Sequence, residues 1–202
     1  MIGNDIIDRA QARRASNWQR KGFLDKLFTT EEQRLIQSAS APDAMVWLLW
    51  SMKESAYKLV VRETGRRFFS PTKLICQLDI FKSESIGGRV FYGHPYQTTS
   101  SITEQYISTV AYSTNPFQAY THAVIPFERT DYQYQHQLIR ETLKQHYAAR
   151  FSIVESRLQI QKNAVDVPTL VINDAFGRII ERPVSLSHHG NYGAFVITEP
   201  NP

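Results

Sequence analysis

Hydrophobic and polar positions alternate with one period in the first third of the chain and another beyond it. "MIGNDII" is a short apolar run and predicts an opening strand, ending among the acids Asp5 and Asp8. A polar helical stretch rich in Arg and Gln follows over about 9–22. "FTTEEQRLI" predicts a second helix, with Thr29 or Thr30 as N-cap and glutamates in the first turn. "SAPDAMVW" opens a third, with Pro42 at its start and Asp43 in its first turn. That helix should stop near Gly65, which suits the left-handed residue after a helix. From about residue 73 the period shortens to that of strands: "KLICQLDIF" and "GGRVFYGH", with "KSESI" and a Gly-Gly turn signal between them. "YISTVAYS" and "QAYTHAVIP" flank "TNPF" and predict a hairpin. "FERTDYQYQ" reads as a loop, "QHQLIRETLKQHYAAR" as a helix, and "TLVIN", "GRIIER", "PVSLSHH" and "YGAFVITE" as closing strands.

Two of these segments look alike. "YISTVAYSTNPFQAYTHAVIP" and "RPVSLSHHGNYGAFVITEP" are each a strand, a small polar turn and a strand running into Pro. The pattern predicts an α+β fold of two pseudo-duplicated halves, 1–126 and 127–202, each with antiparallel strands packed on helices. A chance likeness between two hairpins is the plainer alternative.

The third helix is unusual. At about 100° per residue its positions separate into two faces. Met45, Leu48, Leu49, Met52, Ala56, Leu59 and Val60 form an aliphatic face suited to a core; Trp47, Trp50, Lys53, Glu54, Tyr57 and Lys58 form the other. A solvated face would not carry two tryptophans, and a core face would not carry lysines, because unpaired buried charge is expensive. The mixture fits a cleft wall, where apolar groups exclude water and charges face a charged ligand. A plainer reading is an i, i+4 ion pair between Glu54 and Lys58, worth about 0.2–0.5 kcal/mol.

Composition narrows the classes. The 202 residues suffice for one domain or two small ones. No apolar run reaches the roughly 18 residues of a membrane span, and the N-terminus lacks the pattern of a secretory signal. Cys76, the single cysteine, excludes an internal disulfide and a Cys-based redox pair and suits a reducing cytoplasm. A net charge of +4 and a pI near 9.2 favour anionic partners: nucleic acid, a phosphorylated small molecule or an acidic protein.

Candidate chemistry lies in two places. Asp5 and Glu54 would together offer hard oxygen ligands from two elements, which suits Mg²⁺ with substrate phosphates and waters completing its shell. The surplus lysines would then serve phosphate oxygens. In "SLSHHGNY", Ser187 and His188 could hold a phosphate, but adjacent strand residues point to opposite faces, so they cannot act as a nucleophile and its base. A surface histidine in a hairpin is the plainer alternative for His188.

Taken together, "GND" at 3–5, "WSMKESAYK" at 50–58 and "SLSH" at 185–188 resemble the motifs of the 4′-phosphopantetheinyl transferase superfamily, whose central pattern is W/F-x-x-K-E-x-x-x-K. "FTTEEQ" at 28–33 resembles the acidic helix start that precedes the K-E motif in the short, holo-acyl-carrier-protein synthase members. The resemblance implies transfer of the phosphopantetheine arm of coenzyme A to a serine of an acyl or peptidyl carrier protein, with release of 3′,5′-ADP. It implies Asp5 and Glu54 as magnesium ligands, with Glu54, Lys58 and Asp5 catalytic. Lys53, Lys58, Ser187 and His188 would contact the coenzyme. Arg66 and Arg67, just past the helix, would on our own reading reach its 3′-phosphate, with a solvated basic turn as the plainer alternative. The resemblance further implies an acidic carrier as partner, with neither nucleic acid nor membrane.

Two departures from the family pattern matter. The long, surfactin-type members carry the Ser-His half first; here the order is reversed, as in the short members. Those trimerise to build each site, whereas this chain has a second half, which implies a monomer with one complete site in the cleft between its halves. Long members also add an acid two residues after the strand aspartate; here that position is Ile7, and Asp8 should face away from Asp5. Gln11 stands where short members place a carrier-docking arginine, with Arg9, Arg13 and Arg14 nearby. The alternatives are a coenzyme A-binding relative without transfer, or an RNA-binding module using its basic charge, ten Tyr and eleven Phe.

Overall fold

The computed structural model describes residues 1–82, 85–113 and 119–200. The first half runs β1 (Ile2–Asp8), α1 (Arg9–Ala15), α2 (Phe23–Leu27), α3 (Thr30–Ser38), α4 (Pro42–Thr64), β2 (Ile75–Lys82), β3 (Ser85–Tyr92), β4 (His94–Ile102) and β5 (Tyr106–Tyr112). The second runs β6 (Tyr120–Pro126), α5 (Tyr132–Phe151), β7 (Leu158–Lys162), β8 (Pro168–Asn173), β9 (Ile179–His189) and β10 (Tyr192–Thr198). Each half forms one antiparallel five-stranded sheet, ordered β1-β5-β4-β3-β2 and β6-β10-β9-β8-β7. In both, an opening strand, a helix and a four-strand meander are closed by the last strand pairing with the first.

The duplication is therefore present, with a different correspondence from the one the hairpins suggest. β5 and β6 do not pair: β5 lies between β1 and β4, and β6 pairs with β10. The expected hairpin is instead a crossing from one sheet to the other, and its "TNPF" turn lies outside the described residues. β6, grouped with the first half on sequence, is an edge of the second sheet. Superposing the β1–β5 and β6–β10 registers matches Asp5 to Ala123, Val110 to Val196 and Tyr106 to Tyr192. Val110 and Val196 share a small core with Ile2 between the sheets, and the Tyr106 and Tyr192 rings lie 5.2 Å apart, as residues near a pseudo-twofold axis should.

Other local expectations shift as well. The stretch over 9–22 is helical only to Ala15, and α2 is a separate short helix. β4 carries too little apolar alternation to be visible in the sequence, the alternating β7 (LQIQK) is only five residues long and is not among the expected strands, and "GRIIER" and "PVSLSHH" join in one strand, β9. The Gly-Gly pair lies inside β3, not at a turn. A Cβ on Gly88 would meet Gln77 O and Met52 Cε, both at 2.8 Å, so glycine is needed for close approach to β2 and α4.

α4 is the central element. Proline at its start, left-handed Gly65 (φ 65°) at its end and the apolar content between explain its 23 residues. It lies across β1, whose two faces are both covered. Gly3, Asp5 and Ile7 face α4 and the first core, while Ile2, Asn4 and Asp8 face the second half. At Gly3 the backbones nearly touch: an added Cβ would lie 2.3 Å from Ser55 O. Gly3→Ala should therefore destabilise the protein by about 2–3 kcal/mol through overpacking. Urea denaturation checks this; an unchanged midpoint would show that β1 and α4 can separate.

Candidate active site

Because β1 alternates, Asp5 projects towards α4, where Glu54 and Lys58 lie one turn apart. Lys58 Nζ stands 3.9 Å from Asp5 Oδ1 and donates to Asn4 O (2.6 Å) and Leu186 O (3.3 Å), so it ties α4 to β1 and to β9 of the other half. The Asp5 side chain is 13% exposed, and its Oδ2 is buried with no hydrogen-bond partner. The Ser51 hydroxyl, also buried and unpartnered, is near enough to favour the ionised carboxylate without bonding to it at normal geometry.

Electrostatics sets this carboxylate pair apart. Burial pushes the Asp5 carboxyl up to about 6, against the opposing pull of Lys58. Burial, and then the negative charge of Asp5, push Glu54 up to about 7, with Lys58 again opposing. Two carboxylates that resist ionisation together, one with an unpartnered oxygen, leave a place for positive charge that Lys58 alone does not fill. No group of three or more His, Cys, Asp or Glu side chains suited to a metal occurs among the described residues. The donors present are thus two carboxylates, which fits Mg²⁺: it commonly takes one or two protein carboxylates and completes its shell with phosphate and water.

The second half contributes His188. It lies on the same side of β9 as Leu186, close to Lys58, and its ring meets Tyr132 edge-on at 5.7 Å. Burial lowers its pKa, and Lys58 and His189 lower it further. This lining continues onto α5. Tyr132 stacks on His136, and Arg140 Nε donates to His136 Nε2 at 3.2 Å. His136 is held low by burial, then by Arg140, Lys162 and His188.

Asp5, Glu54 and Lys58 therefore come together, with His188 near enough to Lys58 to feel its charge, and the other expected residues do not join them in the same way. Lys53 is a correction: it is 1% exposed, and its three protons go to Glu32 Oε2 (2.8 Å), Pro71 O (2.9 Å) and Leu74 O (2.6 Å). It is a core residue that anchors α4 to α3 and to the segment after α4, with no donor left for coenzyme A. Trp47 likewise belongs to the core, meeting Phe23 edge-on at 6.4 Å. Ser187 is 7% exposed on the opposite side of β9 from His188, and its hydroxyl accepts from Asn4 Nδ2 at 2.9 Å. Arg67 lines the wall between the halves, bound to Val165 O and Asp166, whereas Arg66 is exposed beyond α4. Asp8 stays clear of the site: it caps α1 through Gln11 N and accepts from Asn191 N.

Two residues escaped the sequence reading. Glu32 closes the capping box of α3 with Thr29 while accepting from Lys53 Nζ and Cys76 N. The pattern T-x-x-E announces the cap, but nothing local announces the buried ion pair. Arg62 lies one turn beyond Lys58 and donates to Pro168 O (2.9 Å) and Val184 O (2.6 Å) of the second half. It lines a cavity of about 260 Å³ with Lys58, Arg67 and Leu186, and burial lowers it to about 10. Its spacing from Glu54 and Lys58, i+8 and i+4, was the available signal.

Two carboxylates and a lysine of the first half thus gather beside β9 of the second, at the seam of a duplicated α+β fold. The model of the 4′-phosphopantetheinyl transferase superfamily matches residues 1–125, well over half of the chain, and the chain belongs to that superfamily. Its general reaction is therefore phosphopantetheinyl transfer, with coenzyme A and a carrier protein as the family's partners. No curated protein matches the chain. No helix among the described residues is long and apolar enough to cross a membrane.

Proposed function

We propose that the protein moves 4′-phosphopantetheine from coenzyme A to a serine hydroxyl of an acyl or peptidyl carrier protein, with Mg²⁺ at Asp5 and Glu54 and 3′,5′-ADP as the product released. The observation that carries this reading is the buried, unpartnered Asp5 oxygen beside a second carboxylate with a raised pKa. A cation held there by Asp5 and Glu54 would supply positive charge against the substrate's diphosphate.

Asp5 and Glu54 would hold the cation, and the Lys58 ammonium beside them faces the diphosphate at the seam. Glu54, or a water that it orients, takes the proton of the carrier serine as the serine oxygen bonds to the phosphorus bearing pantetheine. The bond from that phosphorus to the bridging oxygen breaks, and the charge left on the departing phosphate faces Lys58, with His188 behind it. The nucleotide's remaining phosphate lies along the run from His188 to His136 and Arg140. Those side chains have no carboxylate partner among the described residues, whereas Arg67 is already bound to Asp166. One chain supplies both sides of the site, so we propose a monomer. The second half has Ala123 where the first has Asp5, consistent with one site per chain. The basic charge suits a polyanionic coenzyme and an acidic carrier, and the buried Cys76 suits a reducing cytoplasm.

The test is to mix protein, magnesium, coenzyme A and a panel of apo carriers and read intact carrier mass. Magnesium-dependent gain of the arm on at least one carrier is expected. No gain on any carrier, with coenzyme A bound normally, would leave a coenzyme-binding relative without transfer activity.

A further inference from the structure

A separate cavity of about 600 Å³ lies between α2 and the first turns of α4. Its rim carries Arg20, Lys21 and Lys26, and none of the three pairs with a carboxylate among the described residues. Its walls are aromatic. Arg20 lies 5.4 Å from the Phe23 ring centroid and Lys26 lies 5.5 Å from that of Phe69, so two of the cations rest on ring faces. Trp47 forms part of the inner wall. It is 6% exposed, and its indole N–H is buried and donates to nothing. A buried unpartnered donor is disfavoured unless a ligand meets it.

Unpaired cations at the rim, apolar ring faces along the sides and a wall residue with an unpartnered indole N–H describe the complement of a specific chemistry. We propose that this cavity binds a carboxylate carried on an apolar stem. The rings take the stem, and the Trp47 N–H and a rim cation take the carboxylate oxygens. Concavity argues for a small group: an acidic protein surface could pair with the rim cations but has no need of a hollow reaching the indole.

Such a carboxylate could have two sources. Phe69 also lines a smaller hollow, about 180 Å³, that contains Glu54 and Tyr57. Trp47 stands seven residues before Glu54 on the same helix, about 10 Å along its axis at 1.5 Å per residue. The cavity is therefore placed to receive the far end of the coenzyme's arm when that arm carries an acyl group ending in a carboxylate; this source rests on the transferase reading. A free aliphatic acid bound beside the site is the other source, and it does not rest on that reading.

Binding of succinyl-coenzyme A, butyryl-coenzyme A, coenzyme A and free octanoate to the whole protein, by calorimetry and tryptophan emission, tests this without any carrier. Succinyl and butyryl groups have similar length and differ in the terminal carboxylate. If the arm is the source, succinyl-coenzyme A should bind about tenfold more tightly than butyryl-coenzyme A, the range of one hydrogen bond to a charged group. Lys26→Ala and Trp47→Phe should each remove most of that difference and leave coenzyme A unchanged. If a free acid is the source, octanoate should bind and both variants should weaken it. The proposal fails if neither ligand responds to either variant. Failure of coenzyme A itself to bind would count against the transferase reading alone, since the octanoate arm still reports on the cavity.

Discussion

Glu54→Gln should abolish transfer and at the same time stabilise the protein above pH 7. The loss of activity follows from its two proposed roles, as cation ligand and as proton acceptor: about 10³-fold or more in kcat. The gain in stability follows from linkage. The Glu54 carboxyl is raised to about 7 from its ordinary 4.5, and Asp5 to about 6 from 3.8. Below the unfolded values both groups are protonated whether folded or not, and folding carries no penalty. As pH rises, the unfolded chain releases these protons first, so stability falls through the interval up to the folded values and stays low above pH 7. Removing one carboxyl should recover about 1–3 kcal/mol of this at pH 8 in the absence of divalent cations. Magnesium should stabilise the unaltered protein at pH 8 and have little effect at pH 5, because the cation needs the ionised pair. Thermal denaturation across pH, with and without magnesium, reads all of this. A variant that keeps substantial activity removes Glu54 from the mechanism, and equal melting profiles with and without magnesium at pH 8 remove the cation from this site.

Lys53→Met should act in the opposite way, weakening the fold and sparing the chemistry. The ammonium and Glu32 are 1% and 2% exposed, and their 2.8 Å ion pair is joined by two backbone carbonyls. Taking away one partner leaves a buried carboxylate and two carbonyls unsatisfied, at a cost of about 3–5 kcal/mol. Adding Glu32→Gln should recover part of it, since the uncompensated charge is then gone. Urea denaturation of the single and double variants measures the coupling. Coenzyme A affinity of the folded fraction should be unchanged. A stable Lys53→Met protein with weakened coenzyme binding would return Lys53 to the site.

These two neighbours show where sequence reasoning carries and where it stops. The K-E motif is legible as letters, and helical spacing correctly sets Glu54 and Lys58 one turn apart. It does not say that Lys53 turns inward, because that depends on α3 and on the Pro71–Leu74 segment closing over it, 18–21 residues away in the chain. The same limit applies to Ser187 and His188. Strand alternation separates them, but only the packing of β1 against β9 decides that Ser187 meets Asn4 and His188 meets the open side. Arg62 shares the helical spacing of Glu54 and Lys58, but its partners are carbonyls of the second half, and a carbonyl has no letter.

What the sequence determined by itself is local: the caps and length of α4, the opening strand, the α+β class and the identity of the motif residues. Each of these follows from side-chain periodicity or backbone preference within a few residues. The tertiary structure decided which strands pair, that β5 and β6 lie in different sheets, and that Asp5, Glu54, Lys58 and His188 share one seam. It also assigned two adjacent charges on one helix to opposite tasks, Lys53 to the core and Glu54 to the site. Those outcomes depend on burial and on partners from 18 to 183 residues apart, and no local pattern encodes them.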